Sequence, residues 1–443
     1  MLIPDIVGMT AKASVNSFDM TQVPHWYMYP PKMSYCDSLH EGVLRAEIEK
    51  LSQAVASVYV HIPFCGTKCS FCSLFTSPSQ SGSTFSDYTN SLQREIENFS
   101  DRLAGGELAV PIVYFGGGTP ALLPEAHLAA IVEQIHRHFD TASLRHCSVE
   151  FSPEVVDGAM AQRWRKHGFN RASLGIQTFD DAALKAMHRI HSGHDALTAV
   201  KRLADAGYGD INVDLIFGYA EQTSAQWYVD LETVLDSDAT HCTFHPIAAR
   251  PKSAFERKAI SPDGAGHSTR EFHAQAIEFF REAGWRQSSA ISYSRTTSSN
   301  PLEVAESQGQ VTVGFGAGSR SYYAGIHTST VPYAKRTAFS AVMKHYHECV
   351  TRGHLPIMNS ALLDEEEQQR RTLILQMHHG SIPGQLVQAL GLGDTLTRME
   401  ALGLIVAADN GFTLTVEGFV RAAEIGLAFA SAAVQSSFGE RKE

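Results

Sequence analysis

Apolar and polar positions change rhythm along the chain. Residues 1–50 show no sustained period and carry a turn-rich aromatic stretch, His25–Tyr35, which predicts an irregular N-terminal arm. From Val55 onward, short β-branched and apolar runs alternate with segments whose apolar residues recur every three or four positions. The runs predict strands at Ser57–Ile62, Pro111–Phe115, Cys147–Phe151, Arg171–Ile176, Ile211–Phe217 and His241–Ile247. Between them Tyr88, Leu92, Ile96 and Phe99 share one helical stripe, and Leu128, Ile131, Val132, Ile135 and Phe139 another. Apolar strands alternating with amphipathic helices predict a parallel sheet with helical crossovers. Six such units predict an α/β fold built on a partial (β/α)6 barrel. In such barrels the chemistry sits at the C-terminal ends of the strands.

The rhythm shifts again near Leu362. An acid-capped helix, a Gly403 stop, a hairpin turning at Asp409–Gly411 and a further helix predict a winged-helix-like α+β domain. The expected organisation is an arm or lid over 1–50, a barrel core over 51–255, a barrel extension with the substrate region over 256–360, and the C-terminal domain over 361–443.

At 443 residues and 44% hydrophobic, the chain buries a large core. A formal net charge of −11 argues against nucleic acid or an anionic membrane as partner, since both ask for a positive surface. The acidic run Asp364–Glu367 argues the same for the winged-helix-like tail. No run approaches the roughly 20 apolar residues that span a bilayer. The N-terminus has no basic stretch followed by an apolar one, so a cytoplasmic protein is expected.

Chemistry enters with the cysteines. Of seven, three fall in Cys65-x3-Cys69-x2-Cys72, directly after the first strand. Thiolates are soft ligands suited to zinc or iron–sulfur sites. Three on one loop hold three irons of a cubane and leave the fourth open to an outside ligand. The competing readings are a zinc site with His61 as fourth ligand, or three unrelated core thiols. The glycines of Tyr114–Pro120, at the end of the second strand, let backbone approach a ligand closely; the motif is neither GxGxxG nor a P-loop. Polar residues mark later strand ends or the turns after them: Glu150, Gln177, Arg189 and Asp214. A carboxylate there suits a ribose hydroxyl or an ammonium, and an arginine a carboxylate.

The order VYVHIPFCxxxCxFC, YFGGGTP, SLGIQTF, DLIFG and a winged-helix-like tail resembles the radical S-adenosylmethionine (SAM) family of oxygen-independent coproporphyrinogen III oxidase-like (HemN-like) proteins, from about Ser57 to the end. The resemblance implies a [4Fe-4S] cluster on Cys65, Cys69 and Cys72, whose open iron chelates SAM. It implies Tyr59 and Phe71 on the cluster side, with Tyr59 a candidate catalytic residue. Gly117, Gly118 and Thr119 are to contact the methionyl part. Glu150, Gln177, Arg189 and Asp214 are to bind SAM, with Ala248 against the adenine. An electron donor such as flavodoxin or ferredoxin is implied as partner.

Within that family, two departures and one further likeness direct the expectation. Leu74 stands where the oxidases carry a further cysteine. The HNxxYW motif of the haem-trafficking branch is absent. AGWR (Ala283–Arg286) and RTT (Arg295–Thr297) resemble the haem-utilisation type. The pattern is similar to class C radical SAM methyltransferases and cyclopropane-forming relatives. That likeness implies two SAM molecules, the second giving a methyl or methylene group to an sp2 carbon of a small unsaturated substrate. The alternatives are porphyrin chemistry, either oxidative decarboxylation of coproporphyrinogen or opening of the haem ring, and a non-catalytic haem carrier. In Gly314–Tyr323 the glycine run resembles the segment near the second SAM, and Arg320 is expected to anchor a carboxylate there, a second candidate catalytic residue. Tyr27, Tyr29 and Tyr35 are expected to cover the site.

Overall fold

A computed structural model of the protein describes residues 28–37, 39–78, 82–219, 221–247, 265–332 and 337–439. Tyr27 and Ala248 lie outside the described residues. The six expected strands form β1 (Val55–Ile62), β2 (Ala109–Gly117), β3 (His146–Phe151), β4 (Arg171–Gln177), β5 (Asp210–Phe217) and β6 (His241–Pro246). They pair in sequence order and all in parallel, as right for strands joined by helical crossovers.

The sheet continues past both ends, to twelve strands. Beyond β6 come β7 (Arg286–Ser289) and β8 (Ser292–Ser294), an antiparallel hairpin. On the other side β9 (Val311–Phe315) runs parallel to β1, followed by antiparallel β10 (Arg320–Tyr322), β11 (Ile326–Ser329) and β12 (Asn359–Leu362).

The crossover helices are fixed by their apolar stripes and their caps. Helix Gly82–Ser100 buries Tyr88, Leu92, Ile96 and Phe99 against the sheet. Helices Gly193–Asp205 and Ser224–Asp236 each begin at a reciprocal capping box, Ser192 with Asp195 and Thr223 with Gln226. Under β2 and β3, Trp164 and Phe169 meet Phe115 edge to face at centroid distances of 5.7 and 5.1 Å.

The arm departs from expectation, because residues 41–49 form a helix, Glu41–Glu49. Only Leu44 and Ile48 anchor its apolar face, one turn apart, too short a signal to read as a period. At the other end of the chain, Asp364 caps helix Glu365–His378 by accepting from the Glu367 amide at 2.9 Å. Beyond it β13 (Ser381–Pro383), β14 (Ile405–Ala408) and β15 (Gly411–Leu414) form a three-stranded antiparallel sheet among short helices, the expected wing. Tyr29 ties the arm to this domain, its hydroxyl accepting from the Ser431 amide at 3.0 Å. Among the described residues no helix is long and apolar enough to cross a membrane.

Candidate functional site

The cysteine loop leaves β1 at Ile62 and is closed on itself by two backbone bonds, Cys65 amide to Ser77 carbonyl at 3.0 Å and Ser77 amide to Pro63 carbonyl at 2.8 Å. The Ser70 amide fastens its far side to the Met187 carbonyl at 3.2 Å, and Phe71 packs onto Met187 and Ile216. Phe71 therefore anchors the loop to the rim of β5. Cys65, Cys69 and Cys72 are all half-buried.

The glycine loop sits on the cysteine loop. A Cβ at Gly118 would meet the Phe64 carbonyl oxygen at 2.3 Å and Cys65 Sγ at 3.0 Å. The Gly118 and Thr119 amides donate to the carbonyls of Ile62 and Phe64 at 2.8 and 2.7 Å. Burial pushes the Cys65 thiol up to about 11; neighbouring Cys72 adds to this, and hydrogen bonds from Thr76 and Thr119 oppose it. Cys69 Sγ accepts from Arg189 Nη1 at 3.1 Å. Among the described residues no three His, Cys, Asp or Glu side chains are gathered closely enough for one ion. Three soft thiols on one loop, backed by the glycine loop at Gly118, are a donor set that fits an iron–sulfur cluster. It does not fit zinc with His61: that ring is already engaged, Nε2 donating to the Phe75 carbonyl at 3.0 Å and Nδ1 accepting from the Tyr59 hydroxyl at 3.2 Å.

Beside the loops, Glu150 accepts from the Gly117 amide at 2.9 Å and from the Tyr114 hydroxyl at 3.0 Å. Burial pushes its carboxyl up to about 7, the Gly117 bond resisting and Asp214 adding to the rise. Asp214 accepts from Ser173 Oγ at 3.0 Å and Asn212 Nδ2 at 2.8 Å. Register explains the grouping: Glu150 lies opposite Ser173, and Gly175 opposite Asp214. Gln177 ends β4 at a bulge with φ of 79°. Arg189 reaches the same place, its Nη2 donating to Ser152 Oγ at 2.8 Å and the Gly175 carbonyl at 2.7 Å.

Sequence reasoning missed the partners of Arg189. Glu154 lies 3.8 Å from its Nη2 and 3.5 Å from His191 Nδ1. Burial works against the Glu154 carboxylate, but His191 and the Arg189 charge outweigh it and hold the group at about 2. The signal available was an acidic residue in Ser-Pro-Glu directly past β3.

A cavity of about 750 Å³ opens next to these loops. Tyr59 and His61 of β1 form one wall, Arg320 and Tyr322 of β10 another, and His378 and His379 close the C-terminal side. Met28, Lys32 and Tyr35 from the arm line it as well, so the arm does border the cavity. Leu74, 48% exposed, lines it too. Arg320 Nε is buried without a hydrogen-bond partner among the described residues. Glu306, pushed up to about 7 by burial against the pull of Arg371, accepts from Thr312 Oγ1 at 2.8 Å. Burial lowers His61 to about 4.

The glycines of 314–318 make room for protein rather than for a ligand. A Cβ at Gly314 would strike the Arg320 carbonyl at 2.0 Å, and one at Gly316 the Tyr88 hydroxyl at 2.4 Å. One at Gly318 would lie 2.3 Å from His61 Nε2. They give no support to a SAM cradle at this segment.

Residues 59–234 match the Radical SAM superfamily. Over 375 residues the chain is 28% identical to anaerobilin synthase of Escherichia coli O157:H7, covering 82% of this chain and 80% of that protein. It is 28% identical over 319 residues to an oxygen-independent coproporphyrinogen III oxidase of Bradyrhizobium diazoefficiens, covering 68% and 70%. It is 26% identical over 325 residues to heme chaperone HemW of Bacillus subtilis, covering 72% and 82%. Coproporphyrinogen III oxidase (HemN) from Escherichia coli superposes with a TM-score of 0.77 at 20% identity, over 93% of this chain and 98% of that one, which shows the shared fold. These relatives correct the expectation of a class C methyltransferase or cyclopropane-forming enzyme: they are named for porphyrin and haem, not for C-methylation.

Proposed function

Starting from the radical SAM domain at residues 59–234, we propose that this protein is a radical SAM enzyme acting on a carboxylate-bearing tetrapyrrole in the cavity of about 750 Å³. The observation that carries the reading is the placement of that cavity. Tyr59 and His61 belong to the strand that leads into the cysteine loop, and Arg320, two strands away in the same sheet, lines the same cavity with a buried Nε that has no hydrogen-bond partner among the described residues. A flat macrocycle with acidic arms asks for aromatic walls and a cation at the rim. The volume falls within the roughly 300–1,000 Å³ usual for small-molecule sites. Relatives named for coproporphyrinogen, heme and anaerobilin support the same substrate class.

When bound, a [4Fe-4S] cluster and SAM supply a 5′-deoxyadenosyl radical. Cys65, Cys69 and Cys72 are the residues to hold the cluster. Glu150 offers a carboxylate to the SAM ammonium, and Asp214 offers one to its ribose hydroxyls. The Gly117–Thr119 backbone and Gln177 line the same corner. Arg189, bonded to Cys69 Sγ and balanced by Glu154, stabilises thiolate charge at the loop. The external one-electron donor, flavodoxin or ferredoxin, belongs to the same proposal. So does a second SAM, for which equilibrium dialysis is the measure: two SAM per chain supports it and one removes it.

The test uses reconstituted protein, reductant and SAM, offered coproporphyrinogen III, haem or no tetrapyrrole. A tetrapyrrole is expected to stimulate 5′-deoxyadenosine formation and to emerge chemically altered. Equal 5′-deoxyadenosine with and without either macrocycle, and no altered macrocycle, overturns the reading. Arg320→Ala is expected to weaken tetrapyrrole binding about tenfold, the size of one charge-assisted hydrogen bond of roughly 1.5 kcal/mol. SAM cleavage without substrate stays as in the parent protein. Unchanged tetrapyrrole affinity and turnover in this variant removes Arg320 from the site.

A further inference from the structure

We propose that His379 is the axial ligand to the iron of a metalloporphyrin bound in this cavity. The inference rests on the tetrapyrrole reading above and narrows its substrate class to iron-bearing macrocycles.

Helix Glu365–His378 stops at His379, whose backbone has left the helix at φ −87° and ψ 12°. His379 lines the cavity. Its Nδ1 lies 2.7 Å from the Ser288 carbonyl of β7. A carbonyl only accepts, so Nδ1 carries the proton and, in the neutral ring, Nε2 keeps its lone pair. This is the arrangement typical of ligating histidines, in which a backbone carbonyl fixes the ring and the tautomer while the other nitrogen meets the metal. The mount is firm, because the Ala290 amide donates to the His378 carbonyl at 2.7 Å and joins the helix end to the β7–β8 hairpin.

The neighbouring imidazole of His61 is no rival, because both its nitrogens are engaged. The lack of a three-residue metal group among the described residues is no obstacle. A porphyrin already gives its iron four nitrogens, and one oriented imidazole completes an axial position. Arg320, on another wall of the same cavity, is placed to receive a carboxylate arm.

The experiment titrates ferric haem, and in parallel metal-free protoporphyrin, into the full chain and into His379→Ala, His379→Met and His378→Ala. Absorption and electron paramagnetic resonance spectra report the ligand to iron. The parent protein is expected to give an imidazole-ligated spectrum. His379→Ala is expected to lose it, bind haem at least tenfold more weakly, regain the spectrum on adding imidazole, and bind metal-free porphyrin as the parent does. His379→Met should show a thioether-ligated spectrum, and His378→Ala the parent one. A parent-like haem spectrum in both His379 variants overturns the assignment, as does a parent protein that binds both macrocycles without a histidine-ligated spectrum. A parent protein that binds only coproporphyrinogen III, offered in the same titration, overturns the axial-ligand assignment, and one that binds none of the three overturns the tetrapyrrole reading itself.

Discussion

Cys69→Ala is expected to abolish SAM cleavage and the iron–sulfur absorption of the reconstituted protein while leaving the fold intact. Cys69 is half-buried on a loop whose shape comes from backbone bonds at Cys65 and Ser77 and from Phe71 packed on Met187. None of these uses the thiol. Among the described residues the side chain bonded to Cys69 Sγ is Arg189, which keeps Ser152, the Gly175 carbonyl and Glu154 when the sulfur is gone. Loss of stability is therefore small, whereas loss of one of three thiolates removes an iron ligand outright. Cys36→Ala is the control: that thiol is exposed, and its contact is the Ser360 carbonyl of β12. Iron and sulfide content, the charge-transfer band and 5′-deoxyadenosine release measure the effect, with circular dichroism for the fold. Parent-like iron content and cleavage in Cys69→Ala dismisses the cluster assignment.

What the sequence made legible follows from burial and spacing. Strands β1 to β6 are apolar over most of their length because helices cover the sheet, so their runs stand out and their limits fall within two residues of those expected. The strands β7 to β12 are three to five residues long and rich in Ser, Thr and Gly, as in Arg286–Ser289 and Ser292–Ser294. Nothing periodic marks them; the neighbouring strand makes them strands. In the site, Cys65, Cys69, Cys72 and Gly117–Thr119 stand out in the sequence by local spacing, and the structure packs the two loops together. The pairing of Glu154, just past β3, with Arg189 and His191, which follow helix Asp181–Ala186, joins distant stretches of chain and leaves no local trace. The choice of reaction misled because it leaned on short local features, above all the missing cysteine at position 74 and the missing HNxxYW motif. Leu74 lines the cavity, and the likeness spread over most of the chain outweighs its one position.

Glu150→Gln is expected to weaken SAM binding roughly 100-fold and to flatten its dependence on pH. A charge-assisted hydrogen bond is worth about 1.5–3 kcal/mol, which at its upper end gives that factor. The pH dependence follows from burial, which pushes the Glu150 carboxyl up to about 7. Below that pH the carboxyl of the free protein is protonated and must lose its proton to pair with the SAM ammonium. SAM affinity therefore rises with pH, by up to about tenfold per unit, and levels off near 7. The window from pH 5.5 to 7 keeps the SAM amine charged, since α-amino groups titrate near ~7.7–8.0. Among the groups around the site, Glu154 at about 2 stays ionised and His61 at about 4 stays neutral through that window. Glu306, at about 7, titrates with Glu150, but from the wall of the cavity, and it remains in the variant. A stability effect of opposite sign accompanies the binding effect. Because the folded pKa of Glu150 lies above the unfolded one, its contribution to stability is full at low pH and lost as pH rises through about 7. Above pH 7 and without SAM, Glu150→Gln should melt at a higher temperature than the parent. Calorimetric SAM titrations and melting curves at several pH values check both halves. A variant that keeps the slope of the parent between pH 5.5 and 7 takes Glu150 out of contact with SAM.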